Sequence, residues 1–133
     1  MALTREHAQR ILDIYIEAWQ NQDPDLIVTI FTEDATYHER VLKDPIPDRE
    51  AIREYWATKV VRDQANIRAT LIDFYVDTER DTLVADWEAR FDDLAKCERK
   101  RMREFAILEF DGDLVKSLRE CWSSEPTGAL QQS

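Results

Sequence analysis

The sequence predicts an α+β domain in which three N-terminal helices pack on a curved, mainly antiparallel sheet. Three observations carry this. Apolar residues recur at helical spacing as far as Val60, and from Ile67 onward the spacing becomes that of strands. The turn signals of the second half then separate long strand-like runs with no helical crossover between them. A length of 133 residues suits one domain with its own core, and 44% apolar residues place the chain among globular proteins.

The elements follow in order. Thr4 is an N-cap for a first helix whose apolar stripe is Ala8, Ile11, Leu12, Tyr15, Ile16 and Trp19, ending near Asn21-Gln22. Asp23-Pro24 restarts the chain as a short second helix, with Pro at the position where its missing N–H is harmless. Leu26, Ile27, Ile30 and Phe31 form its stripe. A short strand is expected at 35–39, with Ala35, Tyr37 and Glu39 on one face and Thr36 and His38 on the other. Two prolines make 40–47 an irregular loop, and Asp48 caps a third helix carrying Ile52, Tyr55, Trp56, Lys59 and Val60.

Four long strands complete the pattern. Ile67–Asp77 is rich in β-branched and aromatic residues, and Leu83, Ala85, Trp87, Ala89 and Phe91 alternate with Val84, Asp86, Glu88, Arg90 and Asp92. Arg101–Phe110 and Leu114–Trp122 are joined by Asp111-Gly112-Asp113, a hairpin turn. Residues 1–124 are expected to form a single domain and 125–133 a flexible tail, because Ser123–Ser133 has no periodicity.

Charge and composition restrict the function. A net charge of −10 disfavours a nucleic-acid partner and suits neutral or cationic ligands. The basic run Arg99-Lys100-Arg101-Met102-Arg103 reads as a solvated sheet edge. No apolar run reaches membrane-spanning length, and the first residues lack the apolar core of a secretory leader. Cys97 and Cys121 read as free thiols, so the expected location is cytoplasmic. Gly112 and Gly128 build no phosphate loop, and His38 has no ligand partners near it, so no cofactor and no metal are expected. A sheet covered by helices on one face leaves the other partly apolar, which predicts a homodimer through the outer sheet face.

Several stretches resemble the SnoaL-like branch of the nuclear transport factor 2-like superfamily. They are Tyr15-Ile16-Glu17-Ala18-Trp19, Asp23-Pro24-Asp25-Leu26-Ile27, Phe31-Thr32-Glu33-Asp34-Ala35-Thr36-Tyr37, Arg49 to Trp56, and Leu118-Arg119-Glu120-Cys121-Trp122. The resemblance implies a cone-shaped barrel of the cystatin-like kind enclosing a pocket. Within it, Tyr15 to Glu39 is similar to the same stretch of ketosteroid isomerases. There the position of Tyr15 is the oxyanion-hole tyrosine, and that of Glu39 is the base. The second oxyanion donor falls on Ala106, with Glu104 two residues away on the same face. Tyr37-x-Glu39 also resembles the water-holding pair of limonene-1,2-epoxide hydrolases. Glu120 matches one of their catalytic aspartates, whereas Glu88 and Arg90 exchange the charges of their other two catalytic positions.

The candidate catalytic residues are therefore Glu39, Tyr15 and Glu120. Glu39 is either a general base raised in pKa by an apolar wall or a structural carboxylate paired with Arg90 or another cation. Tyr15 is either an oxyanion donor or a core tyrosine with a satisfied hydroxyl. Glu120 is either a second acid or an ion-pair partner of Arg90 or Lys116. Tyr37, Trp19, Phe31, Trp56, Trp87, Arg90 and Glu104 are the candidate substrate-binding residues. Which face of the Trp87 strand lines the pocket stays open, since alternation alone fits either. The implied function is cofactor-free acid–base chemistry of isomerase, cyclase or hydrolase/dehydratase type on a small apolar organic molecule. The alternative is a dimeric domain that binds such a molecule without turnover.

Overall fold

The computed structural model describes residues 2–130. Helix α1 (Arg5–Gln20) starts where Thr4 Oγ1 accepts from the His7 amide at 3.1 Å. It ends at Asn21, and Gln22 takes a left-handed φ of 53° that turns the chain back. Asp23 then caps the four-residue α2 (Pro24–Ile27) by accepting from Leu26 N at 3.1 Å, and a 3-10 turn at Val28–Ile30 leads into strand β1 (Phe31–His38). Helix α3 (Arg49–Trp56), capped by Asp48, runs on into a π-helical turn at Ala57–Arg62.

Four long strands follow: β2 (Gln64–Asp77), β3 (Thr82–Asp93), β4 (Glu98–Asp111) and β5 (Leu114–Ala129). The sheet order is β1-β5-β4-β3-β2, with β1 parallel to β5 and every other pair antiparallel. This is the α+β architecture of three helices on a mainly antiparallel sheet. Strand β1 begins four residues earlier than its alternation predicts, with an irregular register between Phe31 and Thr36.

The open question about β3 has a definite answer. Leu83, Ala85, Trp87, Ala89 and Phe91 are buried, so the charged set faces out. Arg90 is therefore on the outer face beside Glu88 at 3.3 Å, and it pairs with neither Glu39 nor Glu120. The apolar set wins because its burial removes large hydrocarbon area from water, whereas burying Asp86, Glu88 and Arg90 would carry a desolvation cost.

The basic run is also reassigned. It lies on β4, an interior strand of the sheet rather than an edge. Arg99 pairs with Asp92 at 3.0 Å, Arg101 with Glu88 at 3.0 Å and Arg103 with Asp86 at 2.7 Å. The outer face is thus a cross-strand ladder of ion pairs, less apolar than expected, with Ile72, Tyr75 and Phe105 as its exposed large apolar groups.

The last strand runs past Trp122, where its side-chain pattern stops. Backbone pairing continues through Ser124–Met102, Pro126–Lys100 and Ala129–Glu98. Ladder hydrogen bonds do not depend on side-chain type, so this extension leaves little trace in the sequence. The rest of the expected tail, residues 131–133, lies outside the described residues.

Candidate active site

The inner face carries two carboxyls. Glu104 on β4 stands directly opposite Trp87 on β3, and Glu120 on β5 is opposite Ala106, one diagonal step from Glu104 on the same face. Both are buried, Glu104 at 2% and Glu120 at 6% exposure. Their side chains hydrogen-bond to one another, and the Trp87 indole N–H donates to Glu104. Among the described residues, no Lys or Arg forms an ion pair with either carboxyl. Burial, together with their mutual repulsion, pushes the Glu120 carboxyl well above the usual range. Burial also raises Glu104, although its bonds to Glu120 and Trp87 oppose the shift. The arrangement is a coupled carboxyl dyad whose titrations belong to the pair, both pushed toward the protonated form by burial.

Two tyrosines close over it. Tyr15 from α1 and Tyr37 from β1 join hydroxyl to hydroxyl at 2.9 Å, and Tyr37 shares the chamber wall with Glu120. Burial raises both phenols well above their ordinary value, which keeps them protonated donors. Tyr15 is fixed by stacking on Trp87, with ring centroids 4.5 Å apart, and by an edge contact with Trp56 at 5.6 Å. Trp19 donates to Gln64 at 3.0 Å, and Gln22 ties the π-helical turn to β2 through Val60 O at 2.8 Å and Gln64 O at 2.7 Å.

These residues line a chamber of about 90 Å³. Tyr15, Trp19, Tyr37, Glu39, Trp56, Glu104 and Glu120 all contribute to its wall. Three candidate residues do not. Phe31 is fully buried behind Tyr37, Trp87 supports Glu104 and Tyr15 from beneath, and Arg90 is outside. Sequence reasoning left Gln64, Phe91, Met102 and the Asp93–Lys100 ion pair (2.9 Å) out of the site, and assigned Tyr55 and Trp122 no specific place in it. Trp122 was findable: it follows Glu120 by two residues and so shares its face. The Asp93–Lys100 pair was not, because it depends on the register across the β3–β4 turn.

Glu39 is at the rim. Strand β1 stops at His38, so the next side chain leaves the sheet, and Glu39 keeps 22% side-chain exposure with Arg40 at 3.5 Å. Trp56 Nε1 is buried without a hydrogen-bond partner among the described residues. No group of three or more His, Cys, Asp or Glu among the described residues is placed to hold a metal ion, and no described helix is long and apolar enough to cross a membrane.

A family model described as a SnoaL-like domain matches residues 12–118. The chain belongs to the SnoaL-like family. Its fold is shared by solved structures of low sequence identity. One is a protein of ketosteroid isomerase-like fold from Catenulispora acidiphila DSM 44928, in complex with trimethylamine; identity is 18%, 85% of each chain is covered and the TM-score is 0.74. A second is the epoxide hydrolase/cyclase-like enzyme SalBIII of pyran ring formation in the polyether salinomycin, at 21% identity, 93% of this chain, 96% of that one and a TM-score of 0.77. A third is an LEH-like epoxide hydrolase of M. tuberculosis, at 14% identity, 89% of this chain, 84% of that one and a TM-score of 0.72. No protein of curated function matches this SnoaL-like sequence.

Proposed function

We propose that this SnoaL-like protein is a cofactor-independent acid–base enzyme acting on an oxygen-containing, largely apolar organic molecule. The observation that carries the reading is the buried Glu104–Glu120 dyad in a largely aromatic chamber whose lysine Lys100 is paired with Asp93 rather than with either dyad carboxyl. An isolated structural role would not explain why two carboxyls occupy core positions that apolar residues would fill at less cost. Protonated Glu120 delivers its proton to a substrate oxygen, with Tyr15 and Tyr37 donating to the charge that grows there. Glu104 takes a proton from the carbon or hydroxyl that must lose one. The hydrogen bond between the two carboxyls then returns the proton to Glu120. The same exchange serves ring closure by a substrate hydroxyl and ring opening by water, the reaction types named for the second and third structures above.

The unpartnered Trp56 N–H is a further reason to expect an occupant, since a ligand oxygen would satisfy it. Glu39, at the rim, orients the entering molecule rather than acting as the base. Assembly as a homodimer through Phe105 and its neighbours on the outer face is part of the same reading.

The test is a panel of small epoxides and hydroxy-epoxides assayed with Glu120→Gln and Glu104→Gln. Each substitution keeps volume and removes one half of the proton exchange. Turnover should fall about 10²-fold or more in each variant while ligand affinity is kept. Glu39→Gln should lower turnover far less. Unchanged turnover in both dyad variants would remove the dyad from the chemistry, and binding with no turnover of any panel member would favour a domain that binds without catalysis.

A further inference from the structure

The chamber is too small for most organic substrates. Its 90 Å³ falls well below the roughly 300–1,000 Å³ of sites that enclose a drug-sized ligand. A groove of about 450 Å³ lies immediately outside it. The two spaces share Glu39, Glu120 and Trp122, so a molecule passing from one to the other remains in contact with the dyad.

The outer groove is built by the loop that leaves β1 and by β5. Val41 and Leu42 stand 49% and 98% exposed on that loop, and Trp122 is 37% exposed on β5. The frame of the groove is anchored at two points. The far end of the loop is pinned by the Tyr37–Ile46 bridge, at 3.0 and 2.8 Å. Trp122 Nε1 donates to the Glu39 carbonyl at 3.2 Å, and the Arg40 guanidinium lies 5.4 Å from the centre of the Trp122 ring. The indole is thus fixed at the junction of the two spaces.

We propose that this groove is a second subsite that takes the apolar tail of the substrate while its oxygen-bearing head sits in the chamber against Glu120. The inference rests on the reading of the chamber as the reacting site, and it specifies the substrate class: an elongated molecule with one oxygenated end and a hydrocarbon body. The exposed Leu42 and Val41 are the groups such a body would cover.

The test uses unreactive 1,2-alkanediols from four to twelve carbons, titrated by calorimetry. Affinity should climb about fourfold per methylene once the chain outgrows the chamber, then level off when the groove is full. In a Val41→Asp/Leu42→Asp variant the short diols should bind as before and the climb should vanish. A flat affinity series would overturn the subsite. So would a loop variant that dissociates a dimer and leaves the series intact, because Leu42 would then belong to a contact between copies. The acid–base reading fails separately: a climbing series with turnover unaffected by Glu120→Gln keeps the subsite and removes the dyad from the chemistry.

Discussion

The two faces of the sheet treat the same residue type in opposite ways. On the outer face, Glu88 and Asp92 sit beside Arg101, Asn66 and Arg99, and their pKa values are drawn below the ordinary range chiefly by hydrogen bonds from those partners. On the inner face, Glu104 and Glu120 have only each other, a Trp N–H and tyrosines, and burial drives them up. The distance between the two environments is one strand thickness. The comparison teaches that partner and solvent decide whether a carboxylate is a fixed charge or a proton donor. The outer ones are held as anions in an ion-pair ladder, and the inner ones are pushed toward the protonated form.

The largest expected effect is on the support of the inner face. Trp87→Ala removes a fully buried ring that stacks on Tyr15 and donates to Glu104, and unfolding in denaturant should show a loss of about 3–5 kcal/mol. Trp87→Phe keeps the stack and strips only the donor. It should cost less, about 1–3 kcal/mol, and raise the Glu104 titration further when carboxyl signals are followed by NMR.

Next comes the pH dependence. Folded Glu104 and Glu120 hold protons to a higher pH than unfolded carboxyls, whose ordinary value is 4.5. The folded state therefore binds more protons above that pH, and stability should fall as pH rises from about 4.5 through the raised titrations, by up to about 1.4 kcal/mol per pH unit for each proton. The outer carboxylates pull the other way. Asp92, lowered from 3.8, and Glu88, lowered from 4.5, contribute stability above those values that is lost as pH falls below them. Maximum stability should therefore lie in the mildly acidic range rather than at neutrality. Thermal melts of Glu120→Gln should show a flatter decline toward neutral pH, and an unchanged decline would remove the dyad as its cause. The smallest effect belongs to the ladder: Arg103→Ala or Arg101→Ala should cost about 1 kcal/mol or less, and the loss should shrink in high salt.

How much of this could be read from the sequence follows from the range of the interactions involved. The helices were legible because caps and apolar stripes are local: Thr4, Asp23 and Asp48 each cap where the pattern places them. The β3 strand was legible as a strand but not in its orientation, since both of its faces hold residues that could line a polar pocket. Glu39 drew attention because it follows Tyr37 by two, yet alternation is meaningful only while the strand lasts, and it lasts only to His38. Glu120 and Glu104 were each identified, but separately. Their meeting depends on the β4–β5 register, and the role of Trp87 depends on the register of β3 with β4. Pairings across strands are set by turn lengths and bulges, which individual residue types record weakly.

The parallel pairing of β1 with β5 has a consequence for how the molecule folds. It sets Tyr37 against Leu118, residues far apart in the chain, whereas β2, β3, β4 and β5 join through short turns to their neighbours. Closing that long loop costs entropy that only the finished contact offsets. The hairpins should therefore form first and β1 dock last, so amide protection in a pulsed hydrogen-exchange experiment should reach Tyr37 after it reaches Trp87 and Glu104. Folding intermediates that already contain most of the sheet would carry the carboxyl dyad without the tyrosine from β1 above it.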